Sequence, residues 1–213
     1  MPELTVYPTE TIVAALVLGH GAGAGQRSPF MTSAAKALAD RGIVTATFDF
    51  PYMTARRKVP DPAPVLEQAW RDAIAAARDE PAFRGLPLFI GGKSMGGRIA
   101  SQSAASGDLP IAGLVYLGYP LHPPGKPHQR RDAHLPSIAA PMLFVQGTRD
   151  AFGTAAEIRE LLPRLQRAQL YEIEGGDHSF KVPAKAGPQS KVMDAIYERI
   201  AAFVREISAT RPQ

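Results

Sequence analysis

Cysteine is missing from all 213 residues. That excludes a disulfide framework, a thiolate zinc site and a cysteine nucleophile. Long apolar runs are missing too: the stretch at residues 12–18 is far shorter than the ~20 residues that cross a bilayer. The opening Met1-Pro2-Glu3-Leu4 has no basic region followed by an apolar stretch, so no secretory leader is expected. Charge of one sign is barely in excess, 24 Lys and Arg against 20 Asp and Glu, a net +4 that does not by itself argue for nucleic acid. The histidines are scattered without metal-site spacing. No repeat, low-complexity segment or long charged tract interrupts the chain. These absences lead to the expectation of a cytoplasmic protein with no metal or cofactor and no membrane or nucleic-acid partner.

What remains is ordinary globular material. Hydrophobic residues make up 45% and charged residues 21%, enough for a sizeable core. A single domain over residues 1–213 is expected.

One stretch carries chemistry on its own. Gly92-Lys93-Ser94-Met95-Gly96 follows the apolar run at residues 86–89 and precedes a helical pattern over residues 99–105. Gly-x-Ser-x-Gly between strand and helix is the pattern of a nucleophile elbow, a strained turn that lifts a serine above a sheet. Its flanking glycines are expected where a Cβ would strike neighbouring elements. Taken alone the motif is short, and a Gly-rich turn with a solvated serine reads equally well; the strand before and helix after are what favour the elbow.

The rest of the chain alternates. Residues 3–7 read as a short edge strand; residues 11–18, 43–48, 111–117, 142–146 and 168–173 read as strands. Helices are expected from Pro29 with Ser28 as N-cap, over residues 65–78 and 154–162, and at the C-terminus, where Val192, Ile196, Ile200, Phe203, Val204 and Ile207 recur at helical spacing. Residues 118–135 hold too many prolines for a long helix. Strand–helix alternation implies a three-layer α/β/α sandwich with a mostly parallel sheet, and ligands beyond the carboxyl ends of its strands.

Ser94, Asp150 and His178 each follow a strand, in the order Ser, Asp, His, which is the chain order of an α/β-hydrolase triad. A serine hydroxyl needs a base, and the base needs a carboxylate to fix its tautomer. Asp177 and Glu174 compete with Asp150 for the last role, Asp177 less well because adjacent side chains rarely meet in the required geometry. Oxyanion donors are expected from the N–H of Met95 and from the loop beginning at His20, through Ala22 or Gly23. His20, Tyr119 and His122 are expected near substrate, His20 as a loop anchor rather than a base. That loop has a rival meaning: Gly19-His20-Gly21-Ala22-Gly23-Ala24 with Asp49 fits a dinucleotide fingerprint, but the helix starts too late for a pyrophosphate, and Ser94 and His178 would be left unexplained.

The residues around Ser94, together with Gly147-Thr148-Arg149-Asp150 and Gly176-Asp177-His178-Ser179-Phe180, resemble the α/β-hydrolase superfamily. Tyr119-Pro120-Leu121-His122-Pro123-Pro124-Gly125 is similar to a small group of predicted hydrolases that share motifs with a eukaryotic testis-expressed protein and a subunit of the nuclear NSL acetyltransferase complex. The resemblance implies a compact hydrolase fold without a cap domain. It also implies a second reading, since the nuclear member suggests the fold can serve as a non-catalytic interaction module. Dienelactone hydrolases are similar in size, but their cysteine nucleophile is not matched by Ser94. Without a cap, the site is expected to be roofed only by residues 119–135 and 53–64. These carry Arg56, Arg57, Lys58, Lys126, Arg130 and Arg131, read either as solvated charge or as a lure for an acidic acyl substrate. The expected activity is carboxylester or thioester hydrolysis on a small acyl substrate by a monomer or small homo-oligomer.

Overall fold

The computed structural model describes residues 1–107 and 109–210. Among the described residues the chain runs β1 (Leu4–Tyr7), β2 (Ala14–Gly19), α1 (Pro29–Ala39), β3 (Ile43–Phe48), α2 (Pro51–Thr54), α3 (Ala63–Asp79), β4 (Leu88–Lys93) and α4 (Met95–Ala105). It continues through β5 (Gly113–Leu117), β6 (Met142–Gly147), α5 (Ala155–Leu161), β7 (Ala168–Ile173) and α6 (Gln189–Ala209). The strands form one sheet in the order β1-β3-β2-β4-β5-β6-β7. All neighbours are parallel except the edge pair β1–β3.

Side chains alternate across the sheet, as the two-residue period of a strand requires. Ala15, Val17, Ile90, Leu114, Tyr116, Met142 and Phe144 face one core, which α3 closes with Leu66 and Trp70, α4 with Ile99 and α5 with Ile158. Leu16, Leu18, Phe89, Val115, Leu143 and Val145 face the other, closed by Met31 and Leu38 of α1 and by Ile196, Ile200 and Phe203 of α6. Both faces are covered, so the inner strands are apolar on both sides. This is the α/β-hydrolase fold, and among the described residues no cap domain interrupts it.

Several boundaries differ from the sequence reading. β2 begins at Ala14, not at residue 11, because Ile12 is 46% exposed and the ladder to β3 starts at Ala14 opposite Ile43. β4 runs on through Gly91, Gly92 and Lys93, which pair with Val115, Tyr116 and Leu117 of β5. Those glycines looked like turn; they are strand. Ser28 stands at the N-cap of α1 but makes no side-chain capping bond. The short helix α2 had no signal in a proline-rich stretch.

The sheet order reverses beside β2: from β2 the chain steps to β3 on one side, then returns to β4 on the other. The carboxyl end of β4 therefore lies at a topological switch point, where open α/β sheets hold their ligands. Ser94 is the residue that follows β4.

Candidate active site

Ser94 adopts φ +50° and ψ −114°, a conformation few residues other than glycine tolerate. The neighbourhood holds it there. A Cβ on Gly92 would lie 2.1 Å from the Gly19 carbonyl oxygen, and one on Gly96 would lie 2.2 Å from the same atom. Both glycines thus let β4 and α4 close onto the end of β2. The Trp70 indole N–H donates to the Gly96 carbonyl at 3.1 Å and fixes the start of α4.

The last strand supplies the partner. Beyond β7, His178 returns over the sheet. Its Nε2 is 2.8 Å from Ser94 Oγ and its Nδ1 is 2.7 Å from Asp150 Oδ2. With Asp150 as an acceptor, Nδ1 carries the proton and Nε2 is left to accept from the hydroxyl. The His178 side chain keeps 20% exposure, while that of Asp150 has none. Asp150 is held further: Oδ1 accepts from the Phe152 N–H at 2.8 Å and Oδ2 from Gln146 Nε2 at 2.9 Å. The competing acids do other things. Asp177 Oδ1 accepts from the Ser179 and Lys181 N–H groups and shapes the loop; Glu174 is exposed.

The loop after β2 crosses the other flank. A Cβ on Gly21 would sit 3.8 Å from Ser94 Cβ. The Gly21 carbonyl faces His20 Nδ1 at 2.8 Å and accepts from the Ala24 N–H, and the Ala22 carbonyl accepts from Tyr52 Oη at 3.0 Å. With those carbonyls engaged, the N–H groups of the same two peptides, on Ala22 and Gly23, point the opposite way. Gly21 lies against Ser94, whereas nothing lies within 4 Å of a Cβ added at Gly23. Met95 opens α4, so its N–H has no intrahelical acceptor.

Three residues expected near substrate are enclosed by the fold. His20 has no exposed surface: Nε2 accepts from the Phe50 N–H at 3.1 Å while Nδ1 faces the Gly21 carbonyl. Desolvation holds its pKa below the usual histidine value, so it is a neutral anchor of the loop. Tyr119 is 1% exposed, with its hydroxyl donating to the Arg131 carbonyl at 2.9 Å and its ring packed against Tyr116 and Phe144. His122 is 6% exposed, its Nε2 3.2 Å from Glu157 and its Nδ1 facing the Pro123 carbonyl. Each ring is enclosed because the loops that bear them fold onto the body of the sheet. Asp49, the acid of the rival dinucleotide reading, is spent on the Gln26 N–H at 2.7 Å. Among the loop cations, Arg57 is paired with Asp61, and Arg130 with Asp132 and Glu157.

Three further residues were not foreseen. Gln146 is the one polar side chain in an otherwise apolar β6, and that contrast was the available signal. It accepts from the Tyr119 N–H at 2.7 Å and donates to the Gly153 carbonyl as well as to Asp150. Phe152 lies against the His178 ring, centroids 4.2 Å apart and planes 32° apart. Lys93, inside the elbow motif, donates to the main-chain carbonyl of His178.

A seven-stranded hydrolase sheet with a strained serine between β4 and α4, and an imidazole on its hydroxyl, defines the class as α/β hydrolases. More particularly, the chain belongs to the family of alpha/beta hydrolase domains, whose model matches residues 13–205. Solved structures agree on the fold. A dienelactone hydrolase from Anabaena variabilis is 20% identical, with 94% of this chain and 89% of that chain covered at a TM-score of 0.73. XC6422 from Xanthomonas campestris, described as an α/β serine hydrolase without a lid, is 19% identical over 99% of this chain and 91% of its own, with a TM-score of 0.74. A monoacylglycerol lipase from Paleococcus ferrophilus is 16% identical over 97% of this chain and 99% of its own, also at 0.74. No helix among the described residues is long and apolar enough to cross a membrane.

Proposed function

We propose that the protein is a serine hydrolase acting on carboxylic esters or thioesters of small, accessible acyl groups. The observation that carries this reading is the unbroken row from Ser94 Oγ through the His178 ring to the Asp150 carboxylate, at 2.8 and 2.7 Å. Ser94 attacks the acyl carbon as His178 Nε2 takes its proton. The imidazolium then protonates the leaving group, and Asp150 stabilises its charge without itself taking the proton. Water, deprotonated by His178, releases the acid and regenerates Ser94. The N–H of Met95 and that of Ala22 or Gly23 receive the oxyanion in both steps. The names of the dienelactone hydrolase and the monoacylglycerol lipase among the neighbours support an ester over other bonds. A monomer or small homo-oligomer in the cytoplasm, related to the testis-expressed and NSL-subunit group, belongs to the same proposal.

Intact-mass labelling with a fluorophosphonate, on the wild type and on Ser94→Ala, tests it. One adduct on the wild type and none on the variant is expected, followed by turnover of a panel of short acyl esters. A folded wild type that takes up no adduct would overturn the reading and leave an interaction module on the same fold.

A further inference from the structure

The hydrogen bond between Ser94 and His178 cannot be what keeps the base in place through a reaction. Once Ser94 Oγ is acylated it has no proton to share, and the imidazole must still be aimed at incoming water. Asp150 holds the ring by Nδ1, but a ring can swing on its own main chain unless that chain is held as well. The His178 main chain comes from the loop after β7, three strands away from β4 in the sheet.

Lys93 spans that gap. It is the last residue of β4 and the neighbour of the nucleophile. Its ammonium donates to the His178 carbonyl oxygen. The Phe30 and Phe180 rings flank it, with Nζ 5.8 and 5.4 Å from their centroids, so it lies within reach of two π-faces. A Cβ on Gly118 would come within 2.9 Å of Nζ and 3.4 Å of His178 Nδ1; the glycine leaves the space that the lysine crosses. Lys93 is only partly exposed for a residue type that normally reaches fully into solvent.

We infer that Lys93 is a positioning residue, which fastens the base-bearing loop to the nucleophile strand by a charge-assisted bond to the His178 main chain and keeps the imidazole aimed both when Ser94 attacks and after it is acylated. This rests on the hydrolase reading for its catalytic consequence, but the tether itself does not. Lys93 takes no proton from Ser94, because its N–H groups are donors in this arrangement.

The charge on Lys93 is conditional. Desolvation brings its pKa down to about 8, against the carboxylates of Asp150 and Asp177, which favour the ammonium. These two acids and His178 are the titratable groups that face it; Phe30 of α1, Phe180 and Gly118 bring none. As pH rises through about 8 the bond to His178 loses its charge assistance and the tether weakens.

The test follows fluorophosphonate labelling rates from pH 6 to 10 for the wild type, Lys93→Met and Lys93→Gln, beside amide hydrogen exchange of residues 176–181. For the wild type, a fall in rate centred near pH 8 is expected, and neither variant should show it. Below that pH, Lys93→Met should label roughly 10- to 100-fold more slowly, the scale of a base displaced by a fraction of an ångström to an ångström. Lys93→Gln, which keeps a neutral donor, should fall between. Exchange over residues 176–181 should quicken in Lys93→Met. Labelling rates and exchange equal to wild type in both variants would overturn the proposal. A wild type that never labels, with exchange still faster in the variant, would sink the hydrolase reading and leave the tether standing; unchanged exchange would sink both. Should Lys93→Met fail to fold, the glutamine variant and the wild-type pH profile decide the matter.

Discussion

Replacing Gln146 by leucine separates what holds the carboxylate from the carboxylate itself. Gln146 is fully buried, and beside a longer contact from Nε2 to the Tyr119 carbonyl at 3.3 Å its amide makes three short ones. Its Oε1 accepts from the Tyr119 N–H at 2.7 Å, and its Nε2 donates to the Gly153 carbonyl at 2.6 Å and to Asp150 Oδ2 at 2.9 Å. Leucine fills nearly the same volume but leaves the Tyr119 N–H and the Gly153 carbonyl without those partners in a dry site. Each such orphan costs about 1–3 kcal/mol, and the lost bond to a charged carboxylate roughly another 1.5–3 kcal/mol. Partial relaxation keeps the sum near ~4 kcal/mol, which for a chain of this size is a drop in Tm of about 8–16 °C. Thermal unfolding followed by circular dichroism at pH 7 reads it directly. Asp150 still keeps the Phe152 N–H and His178, so the fraction that remains folded should still label at Ser94. A Gln146→Leu protein that melts within about 2 °C of wild type would refute the reasoning, because orphaned polar groups of this kind carry most of the estimated cost.

Two further outcomes are expected. Asp150→Asn keeps the shape of the site but offers Nδ1 of His178 a side chain able to present the wrong hydrogen-bonding group; kcat should fall by about 10⁴-fold on an ester substrate with the fold retained, a size known from the serine-protease triad, and a loss below tenfold would remove Asp150 from the proposed mechanism. His134, half-buried with its Nε2 2.7 Å from Ser101 Oγ, has its pKa pushed down to about 4 by desolvation and then by the charge of Arg98. The unfolded chain therefore binds a proton that the folded one refuses between about pH 6.5 and 4, and stability is lost as pH falls through that window. His134→Gln should lose less Tm than wild type between pH 6.5 and 4.5, and parallel losses would count against a neutral, desolvated imidazole.

The sequence by itself determined the elements that local chemistry specifies. The order of strands and helices followed from apolar period, and the elbow followed from two glycines spaced around Ser94, since a strained turn leaves few alternatives. The reach of β4 into Gly91, Gly92 and Lys93 was hidden because a strand of glycines carries no side-chain signal; only its pairing with β5 shows it. Tertiary structure decided what depends on groups distant in the chain. Sequence order favoured Asp150 over Asp177 and Glu174 as the carboxylate beside His178; the contact itself depends on the approach of the loops after β6 and β7, with Asp177 turned back on its own loop's N–H groups. His20, Tyr119 and His122 look like site residues in a one-dimensional reading because polar rings beside a nucleophile are conspicuous. Their burial could come only from the packing that encloses them. What Lys93 can do depends on the His178 carbonyl at its tip, 85 residues further along the chain. Motifs fix what a residue can do, and the folded neighbours fix which of those capacities it has left to use.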